Sequence, residues 1–146
     1  VLEKLIKKQG DGGIINISQK KVRRLRLQSP HSVRKIAGQY WIQDSGDLST
    51  KIYDENWEYV NTIKTGGFGR GVDFSEEENI AYVGLSATRK RYLKVIPTSQ
   101  YHSNRILLAD IKQQKAGKEI PIPHIEQMDN VYILDDKIKA LFEKLI

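Results

Sequence analysis

The chain has 146 residues, 39% hydrophobic and 29% charged, with a net charge of +6 from 24 lysines and arginines against 18 aspartates and glutamates. That length suits one domain burying roughly 70% of its unfolded surface, and no run approaches the about 20 apolar residues that span a bilayer. Cysteine is absent, which excludes disulfides and thiolate metal sites and fits a reducing cytoplasm.

The first residue is Val1 rather than methionine, as in a trimmed or partial product. Leu2, Leu5 and Ile6 have a helical spacing that predicts a short helix over 1–9, marginal on its own. Charged residues break up this stretch, unlike a signal peptide. Gly10-Asp11-Gly12-Gly13 ends it, and two short strands follow, Gly13–Ser18 and Val22–Leu27. Ser29-Pro30 separates them from Val33–Ile36 and Tyr40–Asp44, which turn at Gly38-Gln39. Ser45-Gly46-Asp47 reads as a loop, and Ser49–Tyr53 and Tyr59–Lys64 form the next pair around Asp54–Glu58.

The stretch Gly66–Ser86 is the clearest unit: a glycine-rich approach, strands Gly71–Phe74 and Ile80–Leu85, and the acidic turn Ser75–Asn79 between them. Residues 87–104 then lose all periodicity and read as a long inserted loop, a feature that in compact domains is often functional. Arg105–Ile111 and Lys118–Ile122 return as strands, with Pro121 and Pro123 ending the second or placing it at an edge. Glu126–Leu134 reads as a last hairpin turning near Asp129-Asn130. Residues 136–146 close the chain as a helix with Ile138, Leu141, Phe142 and Leu145 on one stripe and an aspartate at its head.

An internal repeat organises these strands. Aligning 30–45 with 69–86 sets Val33 over Val72, 39 residues apart, close to the roughly 40–45 residues of a propeller blade. Residues 124–136 give a third copy, and the remaining strands form three outer pairs between the inner ones. The expected fold is therefore a single all-β domain of about three four-stranded propeller-type blades with a C-terminal helix. Propellers close with typically four to eight blades. A homodimer of two three-bladed halves completing one ring is the expected assembly.

Read in order, GGIINISQ, SPHSVRKIAGQYWIQDSG, GFGRGVDF, AYVGLSATRK and ILLADIKQQKAGK resemble an uncharacterised bacterial propeller-like family, the domain of unknown function 4915 group. The resemblance covers roughly residues 12–136 and the C-terminal half of the family's longer members. Its most specific pieces are Pro30-His31-Ser32, Gly69-Arg70-Gly71 and Val83-Gly84-Leu85-Ser86 with Arg89. It implies a fold and no chemistry.

The repeat puts His31 and Arg70 at equivalent positions before inner strands, with Glu126 near the third. Such positions gather at one mouth of a propeller channel. There Arg70 would clamp a polar or anionic ligand, His31 would donate or shuttle a proton, and Glu126 and Arg89 would complete the ligand-binding set. The structural alternative has these side chains satisfying loop carbonyls and waters. No catalytic signature, cofactor motif or metal-ligand spacing is present: His31, His102 and His124 lack it, and the glycine run 66–71 is neither GxxxxGK[ST] nor GxGxxG before a helix. The tryptophans and tyrosines read as blade packing rather than as a carbohydrate platform. The basic strips Lys20–Arg26 and Arg89–Lys94 could meet a polyanion, but they read first as solvated strand faces.

The leading function is thus a cytoplasmic, self-associating binding module for a polar or anionic small molecule. The alternative is a lyase or hydrolase at the same mouth. A nucleic-acid binder ranks below both, because the aromatics do not interleave with the basic strips.

Overall fold

The computed structural model describes residues 10–87 and 103–144. The expected helix over 1–9 and nearly all of the expected inserted loop, Arg89 included, lie outside these residues. Among the described residues, ten strands, one α-helix and a short 3-10 turn (Ser45–Asp47) make up the regular structure. A two-stranded sheet pairs β1 (Gly12–Asn16) with β2 (Lys21–Leu27). A four-stranded antiparallel meander follows, β3 (Pro30–Ile36), β4 (Gln39–Asp44), β5 (Ser49–Tyr53) and β6 (Tyr59–Lys64). A second has β7 (Phe68–Ser75), β8 (Ile80–Ser86), β9 (Arg105–Asp110) and β10 (Lys115–Pro121). The helix α1 spans Asp136–Glu143. The described residues are all-β apart from α1 and the 3-10 turn, their sheets consistent with partial propeller-like blades. Among the described residues no barrel closes, and no helix is long and apolar enough to cross a membrane.

Alternation along the strands explains how the sheets stack. On β4, Trp41 points one way and Tyr40 and Ile42 the other, and both directions are covered. Trp41, with Ile36, Ile52 and Ile63, meets Val72, Val83, Leu85 and Leu107 of the second four-stranded sheet. Ile42 and Tyr53 meet Leu27 of β2, with Ile14, Leu25, Tyr40 and Trp57 packed around them. Each such aliphatic side chain contributes about 1.5–3 kcal/mol when fully buried. The first four-stranded sheet is therefore the middle layer. Ala37 and Gly38 both have positive φ, the geometry of a primed hairpin turn, and so join β3 to β4 tightly. β10 is exposed along its whole length and ends at Pro121, as expected of an edge strand.

The expected last hairpin over 126–134 does not form; these residues are an irregular strap laid on the second four-stranded sheet. Its backbone donors go to side chains instead of a ladder. Met128 N–H donates to Ser86 Oγ (3.1 Å), Val131 N–H to Asn130 Oδ1 (3.0 Å) and Ile133 N–H to Asp73 Oδ2 (2.7 Å). Two glycines provide the floor. A Cβ on Gly84 would lie 2.7 Å from Val131 Cγ2, and one on Gly71 would lie 2.5 Å from Asn130 Cα. The sequence pattern of an inner strand is present, but the segment spends it on packing. Asp135 heads α1, its carboxylate accepting from Ile138 N–H at 2.8 Å.

Candidate functional site

Strands β3 and β7 are the first strands of their sheets and lie beside each other. Both are bulged at places one residue apart in the repeat alignment. The ladder shifts between His31 and Arg34 on β3 and between Gly69 and Val72 on β7. A bulge inserts residues without partners and re-aims their side chains. Here Ser32 takes a positive φ of 44° beside His31.

The bulges bring His31 and Arg70, 39 residues apart in sequence, into contact: Arg70 Nη1 lies 2.8 Å from His31 Nε2. A guanidinium can only donate, so Nε2 accepts and a neutral ring carries its proton on Nδ1. The other guanidinium arm, Nη2, donates to Asp129 Oδ1 of the strap at 3.0 Å. The Arg70 side chain is 15% exposed and that of Asp129 76%. A mostly buried cation is thus held between an imidazole and a carboxylate that reaches in from solvent.

Buried polar side chains fix this arrangement from below. Gln43, opposite His31 in the ladder, is fully buried and lies against Gly69, where a Cβ would come 2.6 Å from Gln43 Oε1. Its Oε1 accepts from Thr50 Oγ1 at 2.8 Å, while Nε2 has no partner among the described residues. Ser45 Oγ donates to the Gly69 carbonyl and ties the 3-10 turn Ser45–Asp47 to β7. Asp44 Oδ1 accepts from the N–H groups of Gln28 (2.8 Å) and Ser29 (2.9 Å), fastening the link from β2 to β3. Burial pushes the Asp44 carboxyl above its ordinary range, more strongly than those two N–H groups pull it down. Burial pushes Asp47 upward as well, but hydrogen bonds from Lys51, Ser49 and Lys64 outweigh it and hold the carboxyl below its ordinary value.

A separate cleft of about 450 Å³ opens between β1–β2 and the turn before β6, walled by Ile14, Tyr40 and Trp57. Three of its charged side chains already have partners, Arg23 lying 3.7 Å from Glu58 within the rim and Glu55 meeting Lys35 outside it. Arg23 Nη1 donates to Asn56 O at 2.6 Å, and Lys35 Nζ to Glu55 Oε1 at 2.6 Å. Trp57 stacks on Tyr40 with centroids 4.0 Å apart. Arg23 fastens the first hairpin to the turn of the middle sheet and the other two contacts brace that turn, so this cleft is the weaker candidate.

Of the residues the sequence singles out, His31 and Arg70 meet. Glu126 is exposed and takes no part in the cluster, and Arg89 lies outside the described residues. The carboxylate that reaches Arg70 belongs to Asp129, three residues beyond Glu126. The sequence holds a signal for it in the triplets His31-Ser32-Val33, Arg70-Gly71-Val72 and Asp129-Asn130-Val131. Setting Val131 under Val33 and Val72 puts Asp129 at the third equivalent position. Gln43 has no such signal. Among the described residues no three histidine, aspartate or glutamate side chains converge as a metal ion would need. Residues 6–140 match the model of a family described as a domain of unknown function (DUF4915). No curated protein matches the chain.

Proposed function

Since the chain belongs to the DUF4915 family, whose description assigns no activity, we propose that it is a propeller-type binding module that works as an oligomer. It receives a small polar anion at the mouth formed by His31, Arg70 and Asp129. The observation that carries this reading is the asymmetry of the Arg70 contacts. One arm is anchored on His31, and the other holds the exposed carboxylate of Asp129. An ion pair with so exposed a partner is worth about 1 kcal/mol or less. The Asp129 carboxylate stands where the carboxylate or phosphate of a ligand would sit, and a ligand presenting two oxygens to the fork would outcompete it.

Calorimetric titration with succinate and with inorganic phosphate tests this. Binding of either should weaken by about tenfold or more in Arg70→Ala, and also fall in Arg70→Lys, which keeps the charge but loses the fork. Asp129→Asn should strengthen it by removing the competing carboxylate. Binding that Arg70→Ala leaves unchanged, or no binding of either anion, would sink the reading.

A further inference from the structure

The stack has two ends, and they are unlike. At one end β1–β2 covers the middle sheet with Ile14, Leu25 and Leu27, while on the same two strands Ile15 and Val22, opposite each other in the ladder, are each 69% exposed. Ile17 beside them is 85% exposed. This end is basic: residues 19–27 carry Lys20, Lys21, Arg23, Arg24 and Arg26 and no acid. Arg23 turns toward Asn56 and Glu58; Lys20, Lys21, Arg24 and Arg26 are exposed.

At the other end the strap exposes Tyr132 (64%), Ile133 (45%) and Leu134 (45%), followed by Ile138 of α1 (42%). The strap itself is acidic: residues 125–136 carry Glu126, Asp129, Asp135 and Asp136 and no lysine or arginine, Asp129 being paired with Arg70, and Lys137 and Lys139 follow in α1. So one chain holds two apolar surfaces of opposite charge, at opposite ends of one stack of sheets.

We infer that the basic face of β1–β2 docks on the acidic strap of a second copy of this chain. A two-fold axis forms the contact twice, each copy's basic end meeting the other's acidic end, and the stack closes on itself. The apolar residues supply the buried area, and the charges set which end meets which. The inference rests on the reading of the chain as an oligomer and names the faces.

Charge exchange in sedimentation experiments tests it. The wild-type chain should be a dimer that weakens as salt rises. Lys20→Glu/Lys21→Glu/Arg24→Glu/Arg26→Glu leaves Arg23 as the one cation of residues 19–27 and makes both ends acidic, and Glu126→Lys/Asp136→Lys, next to Lys137 and Lys139 in sequence, makes the strap end basic, so each variant alone should be a monomer. Mixed in equal amounts the two should form a dimer, because both contacts again join opposite charges. Ile15→Glu/Val22→Glu, at exposed positions, should also be monomeric, with a circular dichroism spectrum like wild type. An oligomer that ignores all these changes overturns the assigned faces and leaves the oligomer reading standing. A wild-type monomer at low salt overturns both, and a monomer that instead binds a DNA duplex assigns the basic face to nucleic acid.

Discussion

Asp44 is 2% exposed and accepts two backbone N–H groups where β2 gives way to β3. Its carboxyl is raised above 3.8, chiefly by burial. Below that ordinary value it is protonated in both the native and the unfolded chain. As pH climbs toward the raised value the unfolded chain loses its proton first, so the native state binds more protons and stability falls. The contribution of Asp44 is thus fully present at acid pH and lost as pH rises through its native value. Asp47, held low, has the opposite sign: its contribution is lost on acidification. The Asp44→Asn variant keeps an acceptor oxygen and removes the titration. Its stability relative to wild type should increase from about pH 4 upward, measured by urea unfolding at several pH values. A difference that stays flat with pH would show that burial does not perturb this carboxyl. At this scale the sequence revealed the repeat-related His31 and Arg70, because equivalent positions can be counted. Gln43 was hidden, since whether a strand glutamine lies under a neighbouring glycine depends on how two sheets stack.

Among the elements, the strap is where pattern and structure part. A turn at Asp129-Asn130 between short flanks predicts a hairpin over 126–134, yet the segment lies on Gly71 and Gly84 and gives its N–H groups to Ser86 and Asp73. Pairing requires a neighbour at ladder distance, and a single sequence cannot show whether one is there. The meander strands, by contrast, were legible to within a few residues, and β5 and β6 fall on the expected spans. Their turns and alternating core positions are local facts. Gly71 offers the sharpest probe of the strap. In Gly71→Ala the new methyl carbon would lie 2.5 Å from Asn130 Cα and 2.7 Å from Val131 N. Backbone cannot rotate away as a side-chain tip can, so the strap must lift. We expect a loss of about 1–3 kcal/mol in urea unfolding, with faster hydrogen exchange at the Met128 and Ile133 amides. Unchanged exchange at both amides would mean that the strap is held elsewhere.

For the whole molecule, two cores of different size share the middle sheet. The larger joins the two four-stranded sheets through Trp41, Val72, Val83 and Leu85; the smaller holds β1–β2 through Leu27, Ile42 and Tyr53. Trp57, stacked on Tyr40 and tilted against Tyr53 at 6.3 Å, belongs to the smaller one alone. Trp57→Ala should cost about 3 kcal/mol or more locally, the usual range for deleting a packed aromatic. It should release the hairpin in a separate early transition and leave the larger core to unfold later. Calorimetry with one undivided transition at lower temperature would show instead that the two cores melt together.

The outermost strand of the second sheet carries its own consequence. A long flat edge is a template on which another chain's strand can grow, and such growth ends in fibres. β10 is a poor template. Its ladder to β9 slips between Ala116 and Glu119, it bears Lys115 and Lys118, and it finishes on Pro121, which has no N–H to offer. An incoming strand would meet a kinked register, positive charge and a missing donor within seven residues. The chain can therefore expose this edge along its full length without seeding a continuous sheet.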